Sequence, residues 1–286
     1  METGSKIKAK ADFIDQTQLR NSHPKHRSIQ LDSDGLSFSI LDLEKNTYIG
    51  VREYDFKATD RLQVIWERYQ NLREQDEWLR TDTHSQSMAW NFGVSTLIPN
   101  AFSSPMAEKT LRNFVQPLLP SDELFRDDLP AVEAGNVYPL PSSLHEHFKG
   151  VKVVHGTTPF LEGMLRRFQN DEASRVLVNI ENRQFTLLVL IDRKLQLFNR
   201  YPFQTSEDLI YYLLFAMEQL NLNPEEVPLT LYGSIEKHSA LYEIAYKYIR
   251  NVDLGLRPDG FVYAPILDSV APQHYYGLFQ QYLCVS

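Results

Sequence analysis

The chain has 286 residues, of which 43% are hydrophobic and 23% are charged, as in soluble globular proteins with one large or two smaller domains. Its net charge of -8 argues against a nucleic-acid partner, because surfaces that bind nucleic acid are basic. Its apolar runs are shorter than the roughly 20 residues that a membrane-spanning helix needs, so we expect no membrane insertion. The single cysteine, Cys284, excludes an intramolecular disulfide, and no secretory signal is recognisable, which together favour a cytoplasmic location.

The first predicted elements follow a polar extension, residues 1–27, whose first part we expect to be mobile or peripheral. Three strands come next: Ile29–Asp32, Leu36–Leu41 and Thr47–Tyr54. Polar turns separate these strands, and this pattern is typical of consecutive hairpins. Thr59 then caps a helix whose apolar residues recur at i, i+3, i+4 and i+7.

The middle of the chain is less periodic. The pattern predicts a buried strand over Phe92–Ile98 and a helix that begins at Ser104-Pro105. Five prolines and an acidic cluster lie between Pro117 and Pro141, and they indicate a domain boundary or an inserted connection. A short helix over Ser143–Phe148, a strand over residues 151–154 and a helix opened by Thr158-Pro159 follow.

The second half repeats the hairpin pattern with three apolar runs, Val176–Val178, Phe185–Ile191 and Leu195–Tyr201. Thr205 and Asp208 have the spacing of a helix capping box. The remaining predicted elements are a strand over Pro228–Tyr232, a helix over Ser239–Arg250, a strand over Asn251–Leu254 and an aromatic tail from Pro272 to Leu283 that packs back on the body.

These two hairpin systems align without a gap when the chain is displaced by 147 positions. Asp32 then coincides with Asn179, and Thr59 with Ser206. The continuous register over three strands and a helix predicts a duplicated βββα unit, each copy continuing into a strand and a helix. Strands that alternate with helices imply an α/β protein with mixed sheets flanked by helices.

Two βββαβα units at half-chain spacing resemble the actin-like ATPase superfold. Four strings also resemble an uncharacterised bacterial family of unknown function with that fold, related to pilus-assembly and cell-division actin-like proteins: residues 95–99, 195–199, 206–212 and 231–233. The resemblance implies two lobes, which we place at residues 28–142, including the proline-rich connection, and 143–257. Residues 258–286 form the C-terminal aromatic segment.

The resemblance also implies a nucleotide cleft whose hairpin turns carry an Asp-x-Gly pattern, with glycine admitting phosphate and aspartate holding Mg²⁺. In the first turn Asp32 matches the aspartate, but Asp34 replaces the glycine, and Gly35 is displaced by one residue. In the second turn Asn179 replaces the aspartate and Glu181 the glycine. At the expected adenosine loop only Gly233 remains.

We therefore expect Asp32, Asp34, Gly35, Asn179 and Gly233 to line a vestigial nucleotide cleft. Each also has a simpler interpretation, since Asp32 and Asp34 suit a polar turn and Gly233 suits a strand-to-helix turn with positive φ. Arg183 in the second turn is either a phosphate ligand or a solvent-facing hairpin residue.

Two other patterns are weaker. His145-Glu146-His147 lacks the spacing of a helical zinc site, because side chains at i and i+2 do not face each other. His155-Gly156-Thr157-Thr158 precedes a helix and is either an anion site or an ordinary loop.

The leading hypothesis is a non-catalytic actin-like protein that binds a protein partner as an assembly scaffold, with no cofactor. The alternative is an active ATPase or kinase in which Asp32 and Asp34 hold Mg²⁺ of Mg-ATP. A third hypothesis, an unrelated duplicated α/β enzyme, requires a deep pocket with perturbed ionisable groups away from the cleft.

Overall fold

A computed structural model describes residues 7–59, 61–102, 123–140, 148 and 150–285. Its strands are β1 (Ala11–Ile14), β2 (Lys25–Asp32), β3 (Gly35–Asp42), β4 (Thr47–Asp55), β5 (Ser85–Asn91), β6 (Thr96–Pro99), β7 (Glu123–Leu129), β8 (Ala134–Leu140), β9 (Lys152–His155), β10 (Arg175–Ile180), β11 (Gln184–Ile191), β12 (Lys194–Pro202), β13 (Leu229–Gly233), β14 (Val252–Leu254) and β15 (Val262–Tyr263). Its helices are α1 (Gln16–Leu19), α2 (Leu62–Gln75), α3 (Glu77–Arg80), α4 (Thr157–Arg167), α5 (Ser206–Gln219), α6 (Ala240–Tyr248) and α7 (Tyr276–Gln280).

Two mixed sheets share one topology. In the first sheet, β2, β3 and β4 form an antiparallel meander, and β2 also pairs in parallel with β5, which pairs with β9. In the second sheet, β10, β11 and β12 form the same meander, and β10 pairs in parallel with β13, which pairs with β14. The predicted α/β fold and its internal duplication are therefore confirmed.

Helices separate and cover the two sheets. Ile65 and Tyr69 of α2 pack on one face of the first sheet. Leu209 and Leu213 of α5 pack on the outer face of the second sheet, and Met164 of α4 packs on its inner face. We call the first sheet with α2 and α3 the first lobe, and the second sheet with α5 and α6 the second lobe.

The segment after residue 258 completes the face of the first sheet that α2 leaves uncovered. Leu278 and Phe279 of α7 are fully buried against Leu41, Tyr48 and Val51. The side chain of Tyr48 donates a hydrogen bond to the carbonyl of Phe279. The aromatic tail is thus a structural part of the first lobe.

Turn chemistry explains the hairpin positions. Asp42 ends β3 and accepts hydrogen bonds from the backbone N–H groups of Glu44 and Lys45, which fixes the turn into β4. Between β11 and β12, Asp192 and Arg193 both have positive φ, as a two-residue hairpin turn requires. The second copy therefore uses a tighter turn than the first.

The predicted capping box begins α5. The N–H of Asp208 donates to the Thr205 hydroxyl at 3.2 Å, and the N–H of Thr205 donates to the Asp208 carboxylate at 3.0 Å. The predicted cap by Thr59 is wrong. α2 begins at Leu62, and the residue at its N-cap position is Arg61, whose side chain makes no capping hydrogen bond.

Replacing Thr205 by alanine is expected to lower the free energy of unfolding by about 1 kcal/mol, because the N–H of Asp208 loses its acceptor at the start of α5. Urea denaturation followed by circular dichroism measures the change. Thr17→Ala, at an exposed position in α1, is the matched control and should leave the midpoint nearly unchanged. Equal effects of the two substitutions would contradict the cap.

The polar extension predicted for residues 1–27 contains part of the first sheet. β1 pairs antiparallel with β4, and its last residue, Ile14, is buried in the first core. β2 itself begins at Lys25. An edge strand this short offers too few apolar residues for a period of two to be recognisable in the sequence.

The predicted strand over Phe92–Ile98 is also wrong, because β5 ends at Asn91 and β6 begins only at Thr96. Gly93 between them adopts a φ of +79°, which interrupts the extended chain. The apolar residues around this glycine gave the misleading appearance of one continuous strand.

Two corrections concern the connection between the lobes. β7 and β8 lie within the predicted proline-rich connection and form a small antiparallel sheet with β6. β9, assigned to the second lobe by the predicted boundary at residues 142 and 143, pairs with β5 in the first sheet. The first copy of the repeated unit therefore extends to residue 155, and β15 later joins the same sheet by pairing in parallel with β4. The predicted helix at Ser104-Pro105 lies outside the described residues.

Candidate functional site between the two lobes

A cavity of about 600 Å³ lies between the lobes, where the hairpin turns of the two copies face each other. The structure places all five predicted site residues on its wall: Asp32, Asp34, Gly35, Asn179 and Gly233. The register of the repeat brings them together, since β2 and β10 end at corresponding points of their sheets. The C-terminal segment supplies another wall through His274 and Tyr275.

Asp32 is held by two amide side chains of the first lobe. The Asn91 Nδ2 group donates to it at 2.5 Å, and the Gln30 Nε2 group lies 3.1 and 3.2 Å from its two carboxylate oxygens. Burial and the nearby Glu181 carboxylate raise the pKa of Asp32 to about 7, although the hydrogen bonds from the two amides oppose the shift. The environment of Asp32 therefore disfavours its ionised form.

Asp34 connects the two hairpin turns. Its carboxylate accepts a hydrogen bond of 2.9 Å from the Nδ2 group of Asn182 in the second lobe. The neighbouring Gly35 pairs with Asp55, and a Cβ atom on Gly35 would lie 2.8 Å from the Tyr54 carbonyl oxygen. The glycine thus permits close strand pairing.

The second turn carries an ion pair. Glu181 lies 3.0 Å from the guanidinium of Arg200 on β12, and both side chains are largely buried. Asn179 is 3.5 Å from the other Glu181 oxygen. Arg183, in contrast, is exposed and does not line the cavity, so the structure favours the solvent-facing interpretation.

Sequence reasoning did not find Arg200. It follows the string at residues 195–199, but its importance depends on its contacts with the other lobe. Its Nη2 atom lies 3.0 Å from Asn91 Oδ1, and its Nη1 atom lies 3.2 Å from the carbonyl oxygen of Gly93. No local pattern in the sequence marks Arg200, because its contacts depend on how the two sheets pack together.

Gly233 ends β13, where it pairs with Ile180 of β10 beside the cavity. Its φ is +83°, and a Cβ atom would lie 2.1 Å from the Ile180 carbonyl oxygen. Its N–H donates to the carbonyl of Gln273 in the C-terminal segment. The glycine is therefore required by backbone geometry.

The cavity wall is acidic. Six of its described residues carry carboxylates: Asp32, Asp34, Glu53, Asp55, Glu181 and Glu236. Lys10 lies 2.8 Å from Glu53 and 3.2 Å from Asp55, and His274 lies 3.3 Å from Glu236. Within the described ranges, no cluster of three or more His, Cys, Asp and Glu residues has the arrangement of a metal site.

The predicted anion site before α4 is already occupied by a side chain. Asp127 of β7 accepts hydrogen bonds from the N–H of His155 at 2.8 Å and from the Thr158 hydroxyl at 2.6 Å. Burial raises the pKa of Asp127 to about 6. The start of α4 therefore anchors the small sheet. His145-Glu146-His147 lies outside the described residues.

A comparison of sequences decides the family. The profile of one family, described as a protein of unknown function (DUF3822), matches residues 14–252. The chain belongs to this family. No curated protein matches the sequence significantly. No helix among the described residues of this DUF3822 protein has the length and apolar character needed to cross a membrane.

Solved structures resemble the DUF3822 chain in fold. A Bacteroides thetaiotaomicron protein with an actin-like ATPase fold and unknown function is 19% identical, has a TM-score of 0.70, and is matched over 85% of this chain and 93% of that chain. A chain of the PilM–PilN type IV pilus biogenesis complex is 12% identical, has a TM-score of 0.62, and is matched over 91% and 98%. The predicted actin-like ATPase fold is therefore confirmed.

Proposed function

We propose that this protein is a non-catalytic member of the actin-like fold that binds another protein as an assembly scaffold. The observation that carries the proposal is the chemistry of the interlobe cavity. Its two hairpin turns hydrogen-bond to each other through Asp34 and Asn182, and carboxylates surround them.

The residues of the cavity do not fit a nucleoside triphosphate. Asp34 and Glu181 stand where the resemblance expects phosphate-binding glycines. Two like charges at 4 Å repel by about 4 kcal/mol at the effective dielectric constant of a protein surface. Lys10, the lysine on the wall, is already paired with Glu53 and Asp55.

The fold is compatible with a protein partner. PilM, whose fold is similar, is found in a complex with PilN in type IV pilus biogenesis. The present chain retains both sheets of the actin-like fold, although the turns between their strands have lost the glycine pattern. A retained fold with altered turns is what we expect of a protein that binds its partner through its outer surface and not through the cavity.

A thermal-shift and calorimetric titration of the full chain with Mg-ATP and Mg-ADP tests the proposal. A ligand at 100 times its dissociation constant stabilises its protein by about 2.7 kcal/mol, which is readily detected. We expect no shift and no saturable heat. Saturable binding that disappears in Asp32→Ala would overturn the proposal in favour of an ATPase or kinase in which Asp32 and Asp34 hold Mg²⁺.

A further inference from the structure

Arg200 is a basic side chain that contacts both lobes. It projects from β12 of the second lobe, and only 9% of its side chain is exposed. Its guanidinium contacts Glu181 in its own lobe, and Asn91 and the Gly93 carbonyl in the first lobe. One planar group thus bonds one acceptor in the second lobe and two in the first.

The chain of contacts continues to the centre of the first lobe. Asn91 accepts from Arg200 through Oδ1 and donates through Nδ2 to Asp32 at the end of β2. Because both ends of the Asn91 amide are used, its orientation is fixed. Glu181, Arg200, Asn91 and Asp32 therefore form a continuous polar chain across the interface between the lobes.

Other contacts hold the lobes in the same relative position. Asn182 bonds Asp34 at the mouth of the cavity. The C-terminal segment contacts both lobes, since Gln273 bonds the Ile235 carbonyl and Gln281 lies 2.8 Å from Ser87. The relative position of the lobes is thus supported by the hairpin turns and by the C-terminal segment as well as by Arg200.

We infer that Arg200 is an interlobe latch, which together with Asn91 and Gly93 holds the lobes in one closed arrangement without any ligand. A residue of the protein itself supplies the connection between the lobes. The inference concerns conformation and remains valid whether or not the proposed scaffold role is correct.

The energetics of the ion pair make the latch sensitive to substitution. Removing one partner of a buried ion pair is strongly destabilising, because the remaining charge stays buried without compensation. Without Arg200, Glu181 would face Asp32 with no intervening cation. The closed arrangement should then lose an attractive contact between the lobes and gain a repulsive one.

Distances between spin labels on the two lobes test the latch. Exposed Glu67 of α2 and Glu218 of α5 are replaced by cysteine in a Cys284→Ser background of the full chain, and pulsed electron resonance measures the label separation. We expect one narrow distribution without ligand. In Arg200→Ala, a second population at longer distance should appear.

Two further variants and a control define the result. Asn91→Ser removes one of the two acceptors in the first lobe, and with it the link to Asp32, while keeping the Arg200–Glu181 ion pair, so it should also produce the longer-distance population. Arg200→Lys keeps the charge but cannot reach all three acceptors, and its longer-distance population should be smaller. Arg175→Ala breaks an ion pair with Asp171 that is more exposed and makes no contact between the lobes, and it should leave the distribution narrow.

The latch is overturned if the parent protein already shows a broad distribution, or if the closed distance persists in both Arg200→Ala and Asn91→Ser. If Arg200→Ala does not fold, Asn91→Ser alone decides between closure and opening. Circular dichroism of each labelled variant verifies that the fold is intact, so a change in label separation reports a movement of the lobes and not unfolding.

Discussion

Gly233→Ala is expected to lower the free energy of unfolding by roughly 3 kcal/mol or more. Two effects combine, because a residue other than glycine is strained at positive φ and an added methyl group overpacks a closed contact. At Gly233 the φ is +83°, and the new Cβ atom would lie 2.1 Å from the Ile180 carbonyl oxygen. Urea denaturation of the full chain measures the loss.

Gly260→Ala separates the two effects. Gly260 has almost the same φ, +88°, but no atom lies within 4 Å of the position of its Cβ. Gly260→Ala should therefore lower the free energy of unfolding only by the cost of the strained backbone, about 1 kcal/mol. If both substitutions destabilise the protein equally, the close approach of β10 and β13 makes no contribution and our account of Gly233 is wrong.

Asp32→Asn is expected to stabilise the protein at about pH 8, by on the order of 2 kcal/mol. Burial and the Glu181 carboxylate raise the pKa of Asp32 to about 7 in the folded protein, above its ordinary value near 4 in the unfolded chain. The folded state therefore holds its proton more tightly, and stability falls as the pH rises from about 4 to about 7. Asparagine has no proton to release and can still accept from Asn91.

The pH dependence of this effect provides the decisive measurement. The free energies of unfolding of the parent protein and of Asp32→Asn should be similar at about pH 4 and should differ at about pH 8. Asp253→Asn, at an exposed position of β14, is the matched control and should not change the pH profile. A loss of stability in Asp32→Asn at both pH values would show that the ionised carboxylate stabilises the fold.

The repeated unit is predictable from the sequence because its signals are local. Hairpin turns such as Asp192-Arg193, the capping box at Thr205 and short apolar runs each depend on a few neighbouring residues. Since the signals recur in the same register, they also predict that Asp32 and Asn179 occupy corresponding positions. The location of the cavity wall follows from that correspondence.

Contacts between the lobes are not predictable in this way. Arg200 and Asn91 are 109 residues apart, and their contact exists only because two sheets dock at one angle. The role of Gly35 was likewise missed, since its need for a bare backbone comes from Tyr54 on the neighbouring strand. β1 is a third case, because pairing with β4 gives it a structure that its own residues do not indicate.

The closing of the first sheet by the C-terminal segment has a consequence for biosynthesis. Tyr48 and Phe279, which share a hydrogen bond, are 231 residues apart. The ribosome therefore synthesises Phe279 long after Tyr48. Until then Leu41, Tyr48 and Val51 lack the side chains that cover them. Exposed apolar sheet surface attracts chaperones and other nascent chains, and pairing at such sequence separation is slow. The growing chain should therefore engage chaperones until its last helix has left the ribosome.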